Sequence, residues 1–198
     1  VDELDAYQKI IDGCTQVVNN YKPSIDIDPS WEIVDVKSLI KIITPKEKIQ
    51  KNNYNDDGSI PIIDQSKKFI SGYCNDSKYE IKIHEPVIIF GDHTRVFKFI
   101  DFNFAAGADG IKILATNKNK VLIKFLYYYL KNISLPNLGY SRHFKELVKQ
   151  KISLPTIDTQ KKIVKNLSEI DKIINLNFEL ISKTQIKIKN KIDKIWSN

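Results

Sequence analysis

The sequence predicts an α+β chain: a mainly β body flanked by two long helices whose apolar seams run like those of a coiled coil. Three observations carry this. From Leu154 to Trp196 no Gly or Pro follows Pro155, and Ile163, Leu167, Ile170, Ile174, Ile181, Ile188, Ile192 and Ile195 fall on one helical seam, with Asn177 and Thr184 filling its gaps. Near the other end Leu4, Tyr7, Ile11, Cys14, Val18 and Tyr21 recur at spacings of three and four. Between them, Trp31 to Leu114 breaks into short apolar runs bounded by Gly, Asp and Asn.

The first helix is expected over residues 2–21, weakened at Gly13 and ended by Lys22-Pro23. Ser24 to Ser30 is a polar connector. Strands are expected over Trp31–Val36, Ser59–Asp64 after the Asn55-Asp56-Asp57-Gly58 turn, Tyr79–Ile83, Val87–Gly91, Val96–Ile100 and Ile111–Leu114. Val121–Lys131 and Ser141–Lys149 read as helices around a turn at Pro136–Tyr140. The last helix, capped by Asp158 or Thr159, would be about 55–60 Å long at 1.5 Å per residue, too long for one compact domain. Such a seam calls for another long helix, and antiparallel pairing of the terminal helices would bring the ends of the body together. A core helix within a larger bundle is the competing reading, and the body supplies few helices for it.

The chain has 198 residues, 42% hydrophobic and 28% charged, as an ordinary globular protein does. The most apolar stretch, Val121–Leu130, is short and carries Lys124, so no membrane span is expected. No secretory leader is read. A first residue of Val leaves open a fragment or a chain without its initiator Met. Cys14 and Cys74 are isolated, with no partner at metal-ligand spacing, which fits a reduced, cytoplasmic protein. A net charge of +7 and a pI near 9.2 favour a polyanionic partner. That charge comes almost wholly from Lys, in a chain rich in Lys, Ile and Asn with only Arg95 and Arg142 as arginines, a bias that base composition alone can produce.

Four loop clusters combine cations for phosphates with groups able to bond base edges. They are Lys46, Lys48, Lys51 and Asn52; Gln65, Ser66, Lys67 and Lys68; His93, Thr94 and Arg95; and Tyr140, Ser141, Arg142 and His143 at an expected helix start suited to a phosphate. Each is alternatively a solvated loop. Asp64 with Glu80 and Lys82 imitates an Asp…Glu-x-Lys nuclease site, which would hold Mg, yet Glu80 and Lys82 also fit the exposed face of an alternating strand. Asp28-Pro29-Ser30-Trp31 superficially resembles an amino-methyltransferase motif but lacks its second Pro and a Gly-rich cofactor loop. His84, His93 and His143 have no Ser or Cys nucleophile signature around them.

Phe90-Gly91-Asp92-His93-Thr94-Arg95, Phe99-Ile100-Asp101 and Gly107-Ala108-Asp109-Gly110 resemble the core of a target recognition domain from a type I restriction–modification specificity subunit. Ile60–Ser66, Leu138–Phe144, Leu154–Val164 and Tyr7–Gly13 resemble its flanking segments and conserved helices, so the likeness covers essentially the whole chain. It implies a non-catalytic subunit with a DNA recognition domain over residues 24–153 and paired conserved helices over 1–23 and 154–198. The seam residues Leu4, Ile11, Val18, Ile163, Leu167, Ile170, Ile174, Ile181 and Ile188 would serve dimerisation and methyltransferase docking. The implied partners are double-stranded DNA, methyltransferase subunits that bind S-adenosylmethionine and methylate adenine, and a translocating restriction subunit. S-adenosylmethionine, Mg and ATP are expected on those partners and no cofactor on this chain. The family resembles two recognition domains held apart by helices, whereas this sequence has one. Half of a longer subunit, a natural half-subunit that dimerises, and part of a fused enzyme all stay open. So do two other classes, a stand-alone nuclease and an assembly partner that binds no DNA.

Overall fold

The computed structural model describes residues 2–20, 24–107, 110–137, 139 and 141–196. Tyr21-Lys22-Pro23 at the end of the first seam, Ala108-Asp109, Leu138 and Tyr140 lie outside them. In chain order the elements are α1 (Asp2–Asn20), β1 (Glu32–Asp35), α2 (Val36–Leu39), β2 (Ile40–Ile43), β3 (Ile60–Ile63), β4 (Gly72–Cys74), β5 (Glu80–Ile81), β6 (Val87–Gly91), β7 (Phe97–Ile100), β8 (Phe104–Ala106), β9 (Ile111–Thr116), α3 (Ile123–Lys131), α4 (Phe144–Val148), β10 (Lys151–Leu154) and α5 (Ile157–Trp196). They fall into two compact units, Ile25–Ile163 and a helical unit of Val1–Ser24 with Val164–Asn198.

The larger unit is built on two four-stranded sheets. One, ordered β2-β9-β6-β7, is antiparallel throughout; the other is ordered β4-β3-β8-β5, with β3 and β8 parallel. Ile63, Phe104 and Ala106 of the second sheet pack with Val87, Ile89, Ile100, Ile111 and Ile113 of the first to form a core between the sheets. The outer face of the second sheet buries Ile60, Ile62, Cys74 and Ala105 with Ile49. On the far side of the first sheet, α3 lies against β6 and β7, with Tyr127 tilted on Phe99 at 5.7 Å. β6 is therefore interior in its sheet and buried on both faces, which is why it reads as a continuous apolar run rather than an alternation.

A two-stranded ribbon of β1 and β10 carries the chain into α5. Neither Asp158 nor Thr159 caps that helix. It starts at Ile157, and Thr156 stands before it, its Oγ1 accepting from Thr159 N at 3.4 Å. Gln160, fully buried, fixes the first turn. Its Oε1 accepts from Leu122 N at 2.8 Å, and its Nε2 donates to Pro155 O at 2.9 Å and Lys120 O at 3.2 Å. One side chain thus satisfies an orphan donor at the start of α3 and two loop carbonyls.

In the helical unit α1 and α5 run antiparallel. Glu3 pairs with Lys191, and Lys187 Nζ lies 5.8 Å from the centre of the Tyr7 ring. Cys14, Leu167 and Thr184 are buried, and Leu4, Tyr7, Ile11, Val18, Ile170, Ile174, Asn177, Ile181 and Ile188 are half-buried. Ile192 departs from the expected seam and is 40% exposed. Ile10, Val17, Ile173, Leu176, Leu180 and Ile186 also stay exposed, so each helix has apolar side chains off the seam. Among the described residues no helix is long and apolar enough to cross a membrane.

Candidate nucleic-acid interface

The loop after β3 is shaped around a buried charge, Lys98, and a half-buried one, Asp64. Asp64 accepts from Ser66 N at 2.9 Å and Ser71 Oγ at 2.5 Å, closing the loop on itself. Burial alone would raise the Asp64 carboxyl; the hydrogen bonds from Ser71 and Ser66 and the charge of Lys98 outweigh it and hold it below the ordinary carboxylate range. Lys98 sits in β7, where Phe97 and Phe99 face one side and Lys98 and Ile100 the buried other. Its Nζ donates to the carbonyls of Asp64 at 2.8 Å, Lys68 at 2.5 Å and Phe69 at 3.4 Å, and lies 3.9 Å from the Asp64 carboxylate. Burial pushes the Lys98 ammonium below its usual value, and the Asp64 charge partly offsets that. A buried ammonium costs several kcal/mol unless paired; here the loop backbone wraps it. The consequence is outward: Lys67, Lys68 and Phe69 are all exposed.

A second loop is locked to the first. Gln65 Oε1 accepts from His93 N at 3.1 Å, and Gln65 O accepts from Thr94 Oγ1 at 2.6 Å. Gly110, at φ +90°, passes so close to the Gln65 side chain that a Cβ there would overlap it. The turn closes with Arg95 N donating to Gly91 O at 2.8 Å, Arg95 itself at φ 60°, and the Arg95 guanidinium donates to Leu135 O at 3.3 Å.

The third loop joins through Asp92. Its carbonyl accepts from His143 N at 2.9 Å and lies 3.0 Å from His143 Nδ1, while its carboxylate accepts from Phe144 N at 2.7 Å. Two sequence expectations change here. His143 is fully buried and holds the loop rather than facing a ligand. The start of α4 offers no phosphate site, because Asp92 already caps it with an internal anion. Arg142 and Ser141 beside it are exposed; Tyr140 lies outside the described residues. The Lys46–Lys51 segment is tied in separately: Ile49 N donates to Ala106 O at 3.0 Å and bridges to Gly107, where a Cβ would overlap Tyr54 and Asp64. Lys46, Lys48 and Lys51 are exposed on it.

Three of the four sequence clusters, at Gln65, His93–Arg95 and His143, therefore meet in one bonded assembly, and the Lys46–Lys51 segment is held separately against β8. Two buried residues that the sequence reading did not single out as site residues, Lys98 and Asp92, do much of the holding. Lys98 had one legible signal: with Phe97 and Phe99 on one face of β7, it must share the other with Ile100.

The nuclease constellation does not form. Asp64 is engaged with Ser66, Ser71 and Lys98, and Glu80 accepts from Asn103 at 3.3 Å and pairs with Lys82 at 3.7 Å. Among the described residues no group of three His, Cys, Asp or Glu side chains could hold a metal ion.

The chain is 28% identical to the Escherichia coli type I restriction enzyme EcoR124I/EcoR124II specificity subunit over 200 residues, covering 96% of this chain and 46% of the relative. It is 30% identical to a putative type I restriction enzyme MjaX specificity subunit of Methanocaldococcus jannaschii over 189 residues, covering 83% of this chain and 43% of the relative. The chain thus spans about half the length of these curated relatives. Its fold is similar to the crystal structure of the type I restriction–modification S subunit from M. genitalium (TM-score 0.66, 11% identity, 96% of this chain and 57% of that one). It is also similar to a chain from work on complex assembly and conformational transition of the type I R-M system (TM-score 0.61, 16% identity, 94% and 51%). Residues 29–189, spanning both sheets and most of α5, match the family described as type I restriction modification DNA specificity domain, and the chain belongs to that family.

Proposed function

We propose that this chain is the sequence-reading specificity subunit of a type I restriction–modification system, directing its partners to one half of a bipartite DNA site. It carries no catalysis and no cofactor of its own. Methyltransferase subunits, with S-adenosylmethionine, methylate adenine, and a restriction and translocation subunit using Mg and ATP cuts; all work in the cytoplasm on double-stranded DNA. The observation that carries the reading is the internal bonding of the loops at Gln65, Asp92–Thr94 and His143. Loops that bear cations and are held by buried side chains suit a duplex, because little ordering remains to be done on binding.

Within that interface Lys46, Lys48, Lys51, Lys67 and Lys68 are assigned to phosphates, and Arg142 to a base edge. His93 and Arg95, both half-buried, are assigned as further DNA contacts, with part of the Arg95 guanidinium committed to Leu135. Residues 24–153 form the recognition domain and residues 1–23 with 154–198 the docking helices. The exposed Ile10, Val17, Ile173, Leu176, Leu180 and Ile186 support docking of a methyltransferase or a second copy there. A homodimer would rebuild the two-domain layout from a chain of half length.

The test is DNA binding across a salt series. Lys67→Ala with Lys68→Ala should weaken binding to every sequence and reduce the slope of log K against log salt by about 1 per lost phosphate contact. Arg142→Ala should relax preference at one position by about 1–3 kcal/mol. Unchanged affinity, slope and preference in all of these would remove the interface.

A further inference from the structure

Phe69 stands at the shoulder of the Asp64–Ser71 loop, half-exposed beside the exposed Lys67 and Lys68. An exposed apolar residue is ordinarily unremarked, but this one is braced. Its own carbonyl and that of Lys68 are held by the buried Lys98 ammonium. Ser71 N, two residues on, donates to Ile62 O at 2.9 Å. One edge of the ring meets Phe102 at 6.1 Å and 69°, and Phe102 in turn packs on the core between the sheets. The backbone is fixed, part of the ring is seated on Phe102, and the rest is exposed next to two exposed lysines in the chain.

We propose that Phe69 is a specificity-determining residue that reads a T·A pair by packing on the thymine methyl group in the major groove. The inference rests on the DNA-recognition reading and adds a contact to it. Two apolar contacts with a duplex are available, a thymine methyl or a wedge between base steps. A wedge needs the whole ring free to enter the stack, whereas Phe69 keeps an edge on Phe102 and presents only part of itself. Partial presentation suits a methyl at the groove surface, with Lys67 and Lys68 on the flanking phosphates.

The experiment uses the chain co-expressed with a type I modification subunit from its own genome and a randomised duplex pool as probe. The wild-type complex is expected to select a motif with a T·A pair at one position. Phe69→Ala should lose selection at that position alone, and Phe69→Leu should retain part of it. Replacing that thymine by deoxyuridine should weaken wild-type binding about fourfold, the effect of one buried methyl, and leave Phe69→Ala unaffected. If Phe69→Ala selects the same motif at every position with the same affinity, Phe69 reads nothing. Loss of the position without sensitivity to deoxyuridine would replace the methyl contact by a wedge. A wild-type complex that selects no motif overturns the DNA-recognition reading itself, and this inference with it.

Discussion

At the scale of single residues, the interface depends on side chains that never reach its surface. Lys98 donates to three loop carbonyls at once, using the three N–H donors of its ammonium. Lys98→Met should leave those acceptors unsatisfied, cost about 1–3 kcal/mol, and speed amide exchange at Ser66 and Ser71. DNA affinity should fall at least as far as in the Lys67→Ala, Lys68→Ala double variant. Unchanged exchange would mean that the loop holds itself. Asp64 gives the same account a pH signature. Its folded-state carboxyl is held below the ordinary carboxylate range, so its contribution to stability is complete above that range. It is lost as pH falls through the lowered folded value. Urea midpoints should therefore drop below about pH 4, and Asp64→Asn should flatten that limb. Exposed lysines in polar loops were legible from sequence because turn chemistry marks loops. The inward turn of Lys98 was legible only from the alternation of its strand, and Asp92 and His143 were not legible, since a charged residue or histidine inside a loop-rich stretch looks like surface until loop packing turns it inward.

At the scale of elements, the long helices and the central strands were legible because their patterns are long or strongly apolar. The antiparallel meeting of α1 with α5 agrees with the seams read from sequence, and Glu3 opposite Lys191 and Tyr7 beside Lys187 mark its direction. Four strands were not anticipated. β2 and β10 each lie beside a stronger signal, the former after α2 and the latter just before the Leu154-Pro155 start of the helical pattern. β4 and β8 are three residues each, and Phe104-Ala105-Ala106 has weak strand propensity. Pairing β8 parallel to β3 brings together residues far apart in sequence, which no local pattern reveals. The start of α5 was misplaced for a related reason. Gln160 acts through contacts to Pro155, Lys120 and Leu122, so the first turn of α5 belongs to the larger, β-rich body. Gln160→Ala should strand a buried Leu122 N–H and lower the stability of that body by about 1–3 kcal/mol in urea unfolding. A variant as stable as wild type would show that the glutamine holds nothing.

At the scale of the whole molecule, a chain spanning about half of its curated relatives' length carries one β-rich body and one helical unit. Exposed apolar residues such as Ile173, Leu176 and Ile186 give those helices a surface for another chain. A purified chain that dimerises should lose that state when Leu176 and Ile186 are both changed to Glu, read by sedimentation, with the far-ultraviolet spectrum kept. The central claim is that this chain chooses where partner subunits act on DNA. Its most direct measurement is co-expression with a type I methyltransferase subunit from the same genome, followed by mapping of methylated adenines. The account predicts a split motif, palindromic if two copies read one half-site each and asymmetric if a different recognition domain reads the other half. A complex that assembles and methylates no defined sequence would contradict it.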